Sequence, residues 1–199
     1  KEPEDAGKFN FGGVWHSDTS FEKEPSLGSA LYALETPTYG GDTLWTNMEA
    51  AYAALSDGMK AMLNGLKALH SAERYYGSGG YFKTDESQSV SMSIKPDATG
   101  DAQVAHPVVR THPETDAKCL YVNPVYTICF EDMTEEESAP LLGFLFEHAI
   151  RPEFQCRFNW TTGTLAVWDN RATMHFAIND YDGYRRHMNR VTIAGDRPR

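Results

Sequence analysis

Apolar and polar positions change period several times along the chain, and each change marks an element. Residues 29–34, "SALYAL", form an apolar run short enough for a buried strand, and "TPTYGGDT" after it is a turn-rich connection. From Asn47 the pattern becomes helical. Asn47 is placed to cap a first helix, with Glu49, Ala50 and Ala51 in its first turn. Ser56 is placed to cap a second, whose Met59, Met62, Leu63, Leu66 and Leu69 recur at the helical period and whose end would hold His70. "TEEESAPLLGFLFEHAI" has Thr134 and Glu137 at capping-box spacing, followed by Leu141, Leu142, Leu145 and Phe146. Three stretches have strand character. "FQCRFNW" alternates Phe154, Cys156, Phe158 and Trp160 with Gln155, Arg157 and Asn159. "TLAVWDN" follows a Thr-Thr-Gly turn, and "RRHMNRVTIAG" closes the chain. Two apolar runs around Pro113–Lys118 predict a hairpin. Residues 77–103 are rich in Gly, Ser, Asp and Lys with little periodicity, which reads as a long loop, either a mobile lid or a surface excursion. The pattern predicts a mainly β chain with helical insertions, a sandwich or jelly roll.

The 199 residues suit a single domain, and 41% hydrophobic content is enough for a substantial core. A formal charge of −10 argues against a nucleic-acid partner, because phosphate contacts need a basic face. It does not exclude a small anion held by a few local arginines. Three cysteines without C-x-x-C spacing point to a reducing, cytoplasmic location rather than a disulfide framework. No run of ~20 apolar residues marks a membrane span, so no membrane partner is expected.

The candidate chemistry starts in "WHSDTSF", read as a strand. On a strand His16 and Asp18 would share a face, imidazole beside carboxylate, as one metal ion requires. An H-x-D pair alone is weak evidence, and a third ligand is needed. Of the seven histidines, His175 in "WDNRATMHFA" stands out because it directly follows a predicted buried strand. Two histidines and one carboxylate make the facial triad of non-haem Fe(II) oxygenases, which leaves positions open for cosubstrate and oxygen. "YRRHMNR" adds Arg185, Arg186 and Arg190. Arg186 and Arg190 are four apart and would share a strand face, and guanidinium forks suit carboxylates.

"WHSDTSF", "GGDTLW", "HPVVRTHP", "LYVN", "PEFQCRFNW", "WDNRATMH" and "RRHMNRVTIAGDRP" together resemble the taurine dioxygenase family of Fe(II)- and 2-oxoglutarate-dependent oxygenases, over nearly the whole chain. The resemblance implies a double-stranded β-helix (jelly roll) that uses Fe(II), 2-oxoglutarate and O2 to hydroxylate a small organic anion. Succinate and CO2 would be the coproducts. It implies that His16, Asp18 and His175 hold the iron and form the catalytic centre. It further implies that Thr43 and Arg186 bind the far carboxylate of 2-oxoglutarate, that Arg190 meets the acid group of the substrate, and that Tyr75, Tyr76 and Tyr126 line the substrate pocket. Tyr75 stands where taurine-oxidising members carry a small residue, and Gly12 where they carry a polar amide, so a sulfonate, sulfate ester or carboxylate larger than taurine is expected. Family members begin upstream of Lys1, so the chain is expected to lack an N-terminal segment. A homo-oligomer, dimer or tetramer, is also expected. The competing readings are a redox-silent metal hydrolase and a non-catalytic jelly-roll binding module.

Overall fold

The structure, a computed structural model, describes residues 12–80 and 98–199. Two three-stranded antiparallel sheets face each other. One has the order β11-β1-β9, from His187–Ile193, Gly28–Glu35 and Leu165–Asp169. The other has the order β10-β2-β8, from Thr173–Ala177, Thr43–Asn47 and Gln155–Phe158. Every neighbouring pair joins strands distant in sequence, as in a jelly roll, and this is the fold of the chain. Between the sheets, Ala33, Trp45, Trp160 and Trp168 pack with Leu31, Phe158, Ala166 and Met188. Alternation along β1 explains which residues point in. Ser29 and Ala33 are buried while Tyr32 and Leu34 are exposed, so "SALYAL" is half-buried rather than buried. The outer face of this sheet is nevertheless apolar, with Leu165, Val167 and Val191 each at least 60% exposed.

The insertions build a second core. The antiparallel sheet β4-β3-β7 (Gln103–Pro107, Lys67–Ser71, Thr127–Phe130) and the hairpin β5-β6 (Val109–Thr111, Lys118–Leu120) accompany four helices, α1 (Met48–Ala53), α2 (Asp57–Leu63), α3 (Glu73–Tyr76) and α4 (Glu135–Ala149). Met48, Leu63, Leu120, Phe130, Leu142, Leu145 and Met174 fill the core between them. The caps are as the sequence predicts. Asn47 accepts from the Glu49 and Ala50 amides, Ser56 accepts from Met59, and Thr134 and Glu137 form a capping box.

Two expectations fail here. The second helix ends at Leu63, and Leu69 and His70 lie in strand β3. Gly65, at φ +82, breaks the helix, and the 3.6-residue stripe of apolar residues ran across two elements. Met62 from that stripe is exposed, and so is Cys156 from the alternating "FQCRFNW". Most of the predicted lid, residues 81–97, lies outside the described residues. At its edges, the Ser78 amide and hydroxyl bond the Asp101 carboxylate beside a 3-10 turn at Ala98–Asp101.

Candidate active site

His175 lies at the middle of β10, paired with Trp45 of β2. His16 joins it through a single antiparallel bridge, each backbone N–H bonding the other's carbonyl at 3.1 and 2.8 Å. The strand expected over "WHSDTSF" is therefore one residue long. From Asp18 the chain turns, with Thr19 in the left-handed region at φ 52. The turn, and not strand alternation, carries Asp18 back toward the histidines. Its Oδ1 lies 3.7 Å from Nε2 of both His16 and His175. The three donor atoms fall within 4.8 Å of one another, and all three side chains are buried.

The electrostatics of the cluster suit a cation. Burial alone would push the Asp18 carboxyl up. His175, His16, Arg190 and the Ser29 hydroxyl outweigh that and hold it at about 2, so it is ionised. Burial lowers His16 despite the neighbouring Asp18, and burial with His16 beside it lowers His175 to about 3. Both imidazoles are neutral, as ligation requires. His16 Nδ1 lies 2.7 Å from the Val14 carbonyl, which can only accept, so Nε2 keeps its lone pair for the cluster. Two neutral nitrogens and one carboxylate oxygen that converge on one spot fit a divalent transition metal.

Sequence reasoning missed the residues that hold Asp18. Ser29 donates to its Oδ2 at 3.0 Å, and Asn170 accepts from its backbone N–H at 3.4 Å. Trp168 Nε1–H donates to the Asn170 carbonyl oxygen at 3.0 Å. Asn170 belongs to the quoted "WDNRATMH", but a motif string does not say which atom faces the carboxylate.

The two inward arginines part company. Arg190, in β11 opposite Leu31, donates to Asp18 Oδ1 at 3.2 Å and so reaches the His16-Asp18-His175 cluster. Arg186 sits just before β11, in an aromatic cage with Trp160 and Tyr181 at 5.8 and 5.9 Å from its guanidinium carbon. Burial lowers its pKa, and Tyr181 acts in the opposite sense. Gly41 is at φ +69, and a side chain there would sit 3.1 Å from Arg186 Cδ. A glycine suits both the backbone conformation and the close approach. Thr43, the first residue of β2, completes this group through Trp160, whose indole N–H bonds its hydroxyl at 3.0 Å. Arg185, by contrast, pairs with Glu35 on the exposed surface.

Tyr76 and Tyr126 share a hydrogen bond and are close enough to Asp18 and Arg190 for those charges to act on them. Tyr75 packs beside Tyr76, with ring centroids 6.5 Å apart. Burial pushes Tyr76 up to about 12 and Tyr126 well above the usual phenol range, so both remain hydrogen-bond donors at neutral pH.

Four buried histidines give a pH prediction. Burial lowers the pKa of His16, His70, His106 and His175, against about 6.5 in the unfolded chain. Below that value the unfolded state binds protons that the folded state refuses, so stability falls as pH falls. Each pH unit costs up to ~1.4 kcal/mol per excluded proton. Thermal melts of the metal-free protein should hold steady from pH 8 to 7 and drop progressively below pH 6. For the same reason, proton competition with metal sets in at lower pH than the mildly acidic buffer that free histidines would imply.

A jelly roll that brings two neutral histidines and a carboxylate together offers the ligand set of a non-haem metal site. The family model for the taurine catabolism dioxygenase TauD, TfdA family matches residues 1–192, and the chain belongs to that family. It is 39% identical over 192 residues to the alpha-ketoglutarate-dependent dioxygenase cnsP of Penicillium expansum, covering 92% of this chain and 48% of that protein. It is 35% identical over 182 residues to an alkylsulfatase of Acinetobacter baylyi, covering 92% and 56%. The crystal structure of a taurine dioxygenase from Burkholderia xenovorans superposes with a TM-score of 0.74 at 37% identity, over 93% of this chain and 58% of that one. The chain thus spans about half the length of the curated relatives it matches. Among the described residues, no helix is long and apolar enough to cross a membrane.

Proposed function

We propose that the chain is the catalytic jelly-roll domain of an Fe(II)- and 2-oxoglutarate-dependent dioxygenase that hydroxylates a small organic anion. The observation that carries this reading is the His16-Asp18-His175 cluster, with Thr43 paired to Ala177 two residues beyond His175 and linked through the Trp160 indole to Arg186. His16, Asp18 and His175 would hold the iron, and bound iron with 2-oxoglutarate and O2 would supply the oxidising chemistry, with succinate and CO2 as coproducts. A hydrolase with the same metal ligands has no need of a dicarboxylate anchor such as Arg186 in its aromatic cage, which disfavours that alternative.

The chain's own residues do the rest. Arg186 and Thr43 bind the far carboxylate of 2-oxoglutarate, and the desolvated guanidinium makes that contact strong. Arg190 is the cation for the substrate's acid group, a sulfonate, sulfate ester or carboxylate. It also donates to Asp18 Oδ1, so a bound anion would share a charge directed at the metal site. Tyr76 and Tyr126 donate hydrogen bonds as neutral phenols, and Tyr75 widens the aromatic wall. The trp-rich core behind His175 keeps water from the reacting centre. Free Cys119, Cys129 and Cys156 support a cytoplasmic setting. The apolar outer face of the β11-β1-β9 sheet supports a homo-oligomer.

The test is succinate formation across a panel of sulfonates, sulfate esters and aryloxy acids, with Fe(II), 2-oxoglutarate and O2 present. Anions longer or more aromatic than taurine should give the highest turnover. Arg190→Ala should lose substrate oxidation while retaining 2-oxoglutarate binding. Turnover of taurine above every larger anion would rule out the enlarged pocket.

A further inference from the structure

We propose that Trp160 is a positioning residue for the cosubstrate anchor: its indole N–H commits the Thr43 hydroxyl to donate to a carboxylate, while its ring flanks Arg186. This rests on the reading above, in which the far carboxylate of 2-oxoglutarate lies on Thr43 and Arg186.

A hydroxyl rotor can donate or accept, and water or a neighbour usually decides which. An indole can only donate. Trp160 Nε1–H bonds Thr43 Oγ1 at 3.0 Å, so that oxygen acts as the acceptor. The Thr43 hydrogen must then point elsewhere. Both side chains are 4% exposed, and among the described residues this hydrogen has no acceptor. A buried donor left without a partner is costly. A carboxylate beside it would supply what is missing, and Arg186, over the face of the same Trp160 ring, is a cation that would attract one.

The indole is itself held in place. Asp42, one residue before Thr43, accepts from Asn159 Nδ2 at 2.8 Å, and Asn159 is one residue before Trp160. Asp42 also accepts from Arg157 Nε at 2.6 Å. Two successive side-chain bonds, Asp42–Asn159 and Thr43–Trp160, therefore stitch the start of β2 to the chain leaving β8. The opposite use of the same ring is its face, which lies 5.8 Å from the Arg186 guanidinium carbon. One side chain thus sets the donor direction of one anchor and the position of the other. Phenylalanine would keep a ring against Arg186 and lose the N–H.

The experiment titrates N-oxalylglycine, the amide analogue of 2-oxoglutarate, into Mn(II)-loaded protein by calorimetry. Trp160→Phe should weaken binding by roughly 3- to 10-fold, the worth of one net hydrogen bond, and Thr43→Val by a similar factor. The double variant should be no more than about 2-fold worse than the weaker single, because both remove the same bond. Arg186→Ala is the control for the underlying reading and should cost at least about tenfold. No binding to the parent protein, or no loss in Arg186→Ala, would overturn that reading itself. A loss in Arg186→Ala with wild-type affinity in Trp160→Phe, or factors that multiply in the double variant, would overturn only the role of Trp160. Should Trp160→Phe fail to fold, the Trp160 indole N–H resonance supplies the answer without it. The proposal requires that resonance to move in Thr43→Val and on N-oxalylglycine binding. An unmoved resonance in Thr43→Val overturns it.

Discussion

Replacing His175 with alanine is expected to lower Mn(II) or Fe(II) affinity by more than about 100-fold and to abolish 2-oxoglutarate turnover. Loss of an outer partner alone typically costs 10- to 100-fold in such sites, and His175 is one of only three protein donors in the cluster. The effect should not be a folding artefact. His175 Nδ1 has no hydrogen-bond partner among the described residues, and Asp18, which loses its Nε2 neighbour, keeps Arg190 and Ser29. Far-ultraviolet circular dichroism should match the parent while a calorimetric Mn(II) titration goes flat. Ser29→Ala is the graded comparison. It removes the hydroxyl that holds Asp18 Oδ2, leaves all three ligands, and should weaken the metal by about tenfold. Equal metal affinity in the parent and His175→Ala would mean that the cluster is not the metal site.

Arg186→Ala is expected to raise the 2-oxoglutarate concentration needed for half-maximal turnover by roughly 10- to 100-fold, the worth of a lost charge-assisted hydrogen bond at about 1.5–3 kcal/mol. Arg185→Ala, one residue away, should change it less than about 2-fold. The contrast is physical rather than positional. Arg186 is desolvated between Trp160 and Tyr181, where a carboxylate contact is strong, whereas Arg185 spends its charge on Glu35 in open solvent. The measurement is 2-oxoglutarate consumption at saturating substrate and Fe(II). Equal effects of the two substitutions would assign the anchor to the wrong arginine.

The sequence pattern carried four of the six jelly-roll strands, β1, β8, β9 and β11, and the three helix caps, because both rest on local chemistry: alternation on a pleated strand and a side-chain oxygen over free amides. It did not mark β2 or β10 as strands, although they hold Thr43 and His175. It did less well where local and tertiary signals conflict. Leu66 and Leu69 continued the stripe of α2 by accident of spacing, and only Gly65 marked the break. His70 therefore became a strand residue stacked on Tyr121, not the end of a helix. The convergence of His16, Asp18 and His175 has a partly different cause from the one their spacing suggests. His16 and Asp18 are two apart, but a tight turn at Asp18–Ser20, not a continuous strand, brings the carboxylate round. Ser29, Asn170 and Trp160 were invisible because hydroxyl, amide and indole groups are common everywhere. Their meaning comes from which buried atom they touch, and that depends on strand register between segments more than 100 residues apart, as for Asn170 and Asp18 or Trp160 and Thr43.

The most direct test of the central claim is anomalous scattering from crystals of the protein soaked in Mn(II) with N-oxalylglycine. The account predicts one strong peak at ~2.0–2.2 Å from His16 Nε2, Asp18 Oδ1 and His175 Nε2, with the analogue running from the ion to Arg186 and Thr43. A peak that excludes any of the three side chains, or an analogue whose far carboxylate lies away from Arg186, would contradict it.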